Sequence, residues 1–105
     1  MPGIDLNYFI RQANKLTKDI EERKKALADE TVEGKAGDGR VVAVANGVQE
    51  LKTIKIDKAL VDPNDVAMLE DLVTAAVNAA LTASKDHMQK ELGKISGGIK
   101  IPGIT

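Results

Sequence analysis

The spacing of apolar positions changes twice along the chain and divides it into three blocks. From Asp5 to Asp29 there is no Pro or Gly, and Leu6, Phe9, Ala13, Leu16, Ile20, Arg23 and Leu27 recur at alternating intervals of three and four. That spacing lays one stripe along a long amphipathic helix, with Arg23 its single polar interruption. Lys15/Asp19, Lys18/Glu22 and Glu21/Lys25 stand one helical turn apart and support the same element.

Between Glu30 and Asp57 the period shortens. Residues 32–36 alternate, Gly37-Asp38-Gly39 reads as a tight turn, and residues 40–45 are strand-like. Asn46-Gly47 is the dipeptide favoured where both central residues of a type I′ turn take positive φ. After it, Lys52, Ile54 and Ile56 alternate with Thr53 and Lys55, while Leu51 falls out of phase. The block predicts a three-stranded antiparallel meander with one apolar and one solvated face.

The third block opens at Asp62-Pro63-Asn64-Asp65, where capping residues surround an early Pro. Leu69, Val73, Ala76/Val77, Ala80/Leu81, Ser84, Met88, Leu92 and Ile95 then recur every three to four residues until Ser96-Gly97-Gly98 stops the helix. The organisation expected is one α+β domain over 1–98, with 99–105 as a short, loosely ordered tail. At a rise of about 1.5 Å per residue, the helices would measure about 37 and about 45 Å. A compact domain of roughly 100 residues has a radius of gyration near 13 Å, so such helices must project or lie against a partner. A homodimer satisfies both the length and the apolar stripes. Its interface is expected on the second helix at Leu69, Leu72, Val73, Ala76 and Val77, where the alanines permit close approach.

Composition narrows the function classes. The 105 residues contain no cysteine, which excludes disulfide scaffolds, thiolate zinc sites and cysteine nucleophiles. The N-terminus lacks the basic and apolar regions of a secretory signal, and no apolar run reaches the ~18 residues that span a bilayer. Tyr8 and Phe9 are the only aromatics, so any core is aliphatic.

Catalytic groups are scarce. His87 is the single imidazole, and Ser84 lies one turn before it, but a serine–histidine pair needs an orienting carboxylate and an oxyanion hole. Both residues read as parts of a helix surface. The acids Asp62, Asp65, Glu70 and Asp71 are what a helix N-terminus attracts, rather than a metal site. Gly34-x-x-Gly37-x-Gly39 has no following Gly-Lys-Ser/Thr and reads as a turn, not a phosphate loop. No cofactor or small-molecule substrate is expected.

Basic residues offer more. The chain has a net charge of −1, yet residues 63–84 carry three acids and no base, whereas residues 85–105 carry four lysines against two acids. Arg11, Lys15 and Lys18 on the first helix, with Lys85, Lys90 and Lys94 on the second, form candidate phosphate contacts for duplex DNA. A solvated helix face is the usual explanation of such charges, and there is no zinc finger and no aromatic platform for base stacking.

Several segments, taken in order, are more specific. Arg11-Gln-Ala-Asn-Lys-Leu16, Val32-Glu-Gly-Lys-Ala-Gly-Asp-Gly39, Ala45-Asn-Gly47, Ile54-Lys-Ile-Asp57, Met68-Leu-Glu-Asp-Leu-Val-Thr-Ala-Ala-Val-Asn-Ala-Ala80, Gly97-Gly98 and Ile101-Pro-Gly103 succeed one another. The series resembles the YbaB/EbfC family of bacterial nucleoid-associated proteins across essentially the whole chain. The resemblance implies a tweezer-like α+β homodimer, DNA binding by projecting helical arms, and a place in the nucleoid of the bacterial cytoplasm. The first helix departs from the Met- and Gln-rich pattern frequent in that family, with Ile4, Leu6, Tyr8 and Phe9 instead. The expected function is non-enzymatic binding of double-stranded DNA with low sequence specificity, in nucleoid organisation or gene regulation. A module whose grooved arms bind a protein partner is the alternative, separated from the first by its weak response to salt.

Overall fold

A carboxylate begins each long helix. Asp5 Oδ1 accepts the Tyr8 amide at 3.2 Å and opens α1, Leu6–Leu27. Asp65 Oδ1 accepts the Met68 amide at 3.2 Å and opens α2, the 30-residue helix Val66–Ile95. Each satisfies one of the amides that a helix start leaves without a partner. α2 ends at Ser96, with Gly97 after it at φ 63°. These features come from a computed structural model that describes residues 5–97. The expected tail, 99–105, lies outside the described residues.

Between the helices run β1 (Thr31–Ala36), β2 (Val41–Asn46) and β3 (Leu51–Ile56), an antiparallel meander in that order. Gly37, Asp38 and Gly39 all take positive φ and make the first turn. Gly34 does not belong to that turn; it lies within β1, opposite Ala43.

The second turn departs from the expected type I′ hairpin. Neither Asn46 nor Gly47 has positive φ; the left-handed residue is Gln49, at φ 65°. Asn46 builds the turn with its side chain. Its Oδ1 accepts the amides of Val48 and Glu50, and its Nδ2 donates to Ala28 O and Glu50 Oε1. Gly47 is needed for close approach, since a Cβ there would stand 2.6 Å from Leu27 O at the end of α1. The phase break at Leu51 is a bulge: Val44 pairs with Thr53 and Ala45 with Leu51, which leaves Lys52 extra.

Val41, Ala43 and Ala45 are buried beneath α2, which crosses β1 and β2 and meets them through Ala76 and Ala80. Leu69, Leu72, Val73 and Val77 pack around that core. An 18-residue stretch of α2 reaches a mean hydropathy of 1.4, enough by length and composition to cross a membrane. The stretch is not an unbroken apolar run, because Thr74, Asn78 and Thr82 interrupt its alanines. Here it supplies the small residues that let the helix lie on the sheet.

The molecule extends 75 × 20 × 16 Å, with a radius of gyration of 19.8 Å. That exceeds the ~13 Å of a compact chain of this length, as projecting helices require.

Candidate nucleic-acid interface

The distal parts of α1 and α2 run antiparallel. Arg23 meets Glu91, and further out Leu16 and Asp19 share a shallow cleft with Ile95. The first turns of α1 therefore lie past the last residue of α2.

Arg23, the polar break in the apolar stripe, ties three elements together. Its guanidinium donates to Glu30 Oε2 at 2.6 Å and to Glu91 Oε1 at 2.5 Å. His87 Nε2 lies 2.8 Å from Glu30 Oε1, and Lys94 Nζ 2.5 Å from Glu91 Oε2. The hydrogen bond from Lys94, then that from Arg23, holds the Glu91 carboxyl down at about 2. Arg23 first and His87 second lower that of Glu30, while Glu30 and then Glu91 raise Arg23. This network fastens α1 to α2 and to the approach to β1, so the arms leave the sheet in a defined direction.

Ser84 corrects the expectation of a surface residue. It is buried, donating through Oγ to Asn46 O at 2.6 Å and accepting from the Gln49 amide at 2.8 Å. It joins α2 to the turn between β2 and β3. Its place in the apolar register of α2 was the available signal. His87 is half-buried and held by Glu30, not a plain surface group either. Asp65 caps α2, and Asp62 accepts the Asn64 amide in the turn before it.

All six candidate phosphate contacts carry solvent-exposed surface. Arg11, Lys15 and Lys18 fall on one side of α1, at spacings of four and three. The lysines of α2 do not share a face. At 3.6 residues per turn, Lys90 lies about 40° around the helix from Lys94, and Lys85 about 180° from it. Two of the six are already paired, Lys94 with Glu91 and, at 4.0 Å, Lys18 with Glu22. The expected interface residue Ala76 has no exposed surface, and Leu69, Leu72, Val73 and Val77 are half-buried. Uncovered apolar side chains lie on β3 at Leu51, Ile54 and Ile56, beyond it at Val61, Val66 and Met68, and on the first turns of α1 at Leu6, Tyr8, Phe9 and Ile10.

Comparisons with known proteins agree with this architecture. The family model for the YbaB/EbfC DNA-binding family matches residues 1–99. A nucleoid-associated protein of Myxococcus xanthus (strain DK1622) is 74% identical over 105 residues, covering 100% of both chains. One from Anaeromyxobacter dehalogenans (strain 2CP-1) is 46% identical over 102 residues, or 97% of this chain and 99% of that one. Among solved structures, an uncharacterized protein of Helicobacter pylori superposes with a TM-score of 0.78. It covers 90% of this chain and 99% of its own, and at 20% identity it bears on the fold alone.

Proposed function

The chain belongs to the YbaB/EbfC DNA-binding family, and on that basis we propose that it is a nucleoid-associated homodimer whose helical arms hold double-stranded DNA through phosphate contacts, with low sequence specificity. The observation that carries this reading is the placement of charge. Exposed basic residues stand on the distal arms, away from the core that α2 forms with the sheet. Five of the six are lysines, which meet phosphates as point charges, so they position the duplex rather than select its sequence. The relatives' description as nucleoid-associated supports, by analogy, a place for this chain in the bacterial nucleoid.

Dimerisation fits the uncovered apolar strip. Two subunits joined across Leu51, Ile54 and Ile56 of β3, with Val66 and Met68 at the margin, would bury what α2 leaves open. Of the α2 residues expected in the interface, the half-buried Leu69, Leu72, Val73 and Val77 can border this strip. Ala76 belongs to the subunit's own core.

Salt dependence tests the proposal. Gel-shift titrations on unrelated duplexes at two salt concentrations should show affinity falling as salt rises. Charge reversal at Arg11, Lys15 and Lys18, or at Lys85, Lys90 and Lys94, should flatten the log-affinity against log-salt slope by about 0.9 for each phosphate that is no longer neutralised. Wild-type affinity and slope in both triple variants would move the arms to a protein partner. Sedimentation at micromolar concentration should find a dimer; a stable monomer would overturn that part.

A further inference from the structure

The first turns of α1 carry a second feature, an exposed aromatic pair, whose role rests on the DNA-binding reading. Tyr8 and Phe9, the only aromatics in the chain, are 51% and 56% exposed, at the end of α1 that lies past Ile95. Their rings meet edge to face, with centroids 5.9 Å apart and planes at 76°. Leu6 and Ile10 beside them are also exposed, at 68% and 49%, and clustered exposed apolar side chains mark interaction sites.

Helical spacing aligns Tyr8 with the basic residues. Tyr8, Arg11, Lys15 and Lys18 succeed one another at intervals of three, four and three, within about 80° around the helix. Phe9 falls outside that line and braces the Tyr8 ring from the side. From Leu6 to Lys18 there are three basic residues and no acid. Two copies of this segment would repel each other, whereas a polyanion would be attracted. A groove flanked by phosphates offers both the negative charge and an apolar interior.

We infer that Tyr8, braced by Phe9, is a wedge that enters the minor groove of duplex DNA while Arg11, Lys15 and Lys18 hold the adjacent phosphates. Apolar side chains inserted between base steps partly unstack them and bend the duplex away from the groove they occupy. Unstacking is easiest at pyrimidine–purine steps, so the wedge confers a shape preference on a protein that reads no base edges. The bend is a property of this tip and is separable from the phosphate contacts.

The test measures end-to-end distance by energy transfer on duplexes a few helical turns long, with a central TA step or an uninterrupted A-tract, alongside affinity at two salt concentrations. The wild-type chain should bend the TA duplex and prefer it. Tyr8→Ala should bind about 10-fold more weakly, leave the duplex straight and keep the wild-type salt slope. Phe9→Ala should reduce the bend, Tyr8→Trp should retain it, and all variants should melt as the wild type does, because these side chains lie outside the core. A straight wild-type complex, or Tyr8→Ala bending and binding as wild type does, overturns the wedge and leaves the DNA reading standing. A change in sedimentation on Tyr8→Ala assigns the tip to a second copy instead. Loss of binding to phosphatidylserine vesicles, with DNA bending intact, assigns it to a lipid surface. If the wild-type chain binds no duplex even at low salt, the DNA reading fails and the wedge fails with it.

Discussion

Replacing Gly34 by Ala should remove much of the stability of this fold. Gly34 sits in β1 directly beneath α2. A Cβ built on it would stand 2.2 Å from Ala80 N, 2.4 Å from Ala76 O and 2.7 Å from Ala79 C. All three are main-chain atoms, so no rotamer change relieves the overlap. Restoring ordinary separation, at about 3.5 Å, requires α2 to lift from the sheet by about 1 Å. That lift separates Ala76 and Ala80 from Val41 and Ala43, the packing on which the core depends. Overpacking a core costs about 1–3 kcal/mol, and a clash with rigid backbone belongs at the upper end, about 3 kcal/mol. For a domain of this size that corresponds to a fall in Tm of about 10–25 °C. Circular dichroism melts and urea titrations would measure it, at one fixed protein concentration because association raises the apparent Tm. Trimming Ala76 or Ala80 to Gly should give no rescue, since neither change removes a clashing atom. A Gly34→Ala protein melting within a few degrees of wild type, or rescued by such trimming, would refute the direct seating of helix backbone on strand.

The polar contacts give two further expected outcomes. Ser84→Ala strands the Gln49 amide and removes a donor from Asn46 O, and should cost about 1–3 kcal/mol in a urea titration; a change below the error of that titration would mean that water replaces the hydroxyl. Glu91, held down at about 2, and Glu30, also lowered, are more acidic folded than unfolded. Their stabilisation is therefore complete above the ~4.3 of a free Glu and disappears as pH falls toward 2. An Arg23→Met variant should show a shallower acid dependence of Tm than wild type between those limits, and an identical profile would remove the network from the account.

Local features of the fold were legible in the sequence, and the long-range ones were not. Helix periods, the cap at Asp65, the stop at Gly97 and the Gly37–Gly39 turn each depend on a few adjacent residues, and each stands as expected. Asn46-Gly47 misled because both residues answer to distant partners. Asn46 reaches back to Ala28, and Gly47 makes room for Leu27 O. Gly34, grouped with the neighbouring glycines as a turn, is required by helix residues 76–80, more than forty positions along the chain. Arg23 was visible as the polar residue in an apolar stripe, but its partners Glu30 and Glu91 were not. The candidate phosphate-binding residues were legible as charges; Lys18 and Lys94 pair with Glu22 and Glu91 one turn away on their own helices, whereas the share that Arg23 takes of Glu91 depended on tertiary geometry.

That last distinction ranks the lysines of α2. Lys94 is bonded to Glu91, which Arg23 also engages, so a phosphate reaching Lys94 competes with a carboxylate already in place. Lys90 lies on nearly the same side of the helix and is exposed, with no ion-pair partner among the described residues. Lys90→Ala should therefore flatten the salt dependence of DNA binding by close to the full ~0.9 of one phosphate contact, and Lys94→Ala by less. Glu91→Gln should narrow the gap, because it releases Lys94 while keeping an acceptor for Arg23. Equal effects of Lys90→Ala and Lys94→Ala, unchanged by Glu91→Gln, would mean that Glu91 gives up Lys94 without cost. The network would then fix the arms and leave phosphate binding untouched.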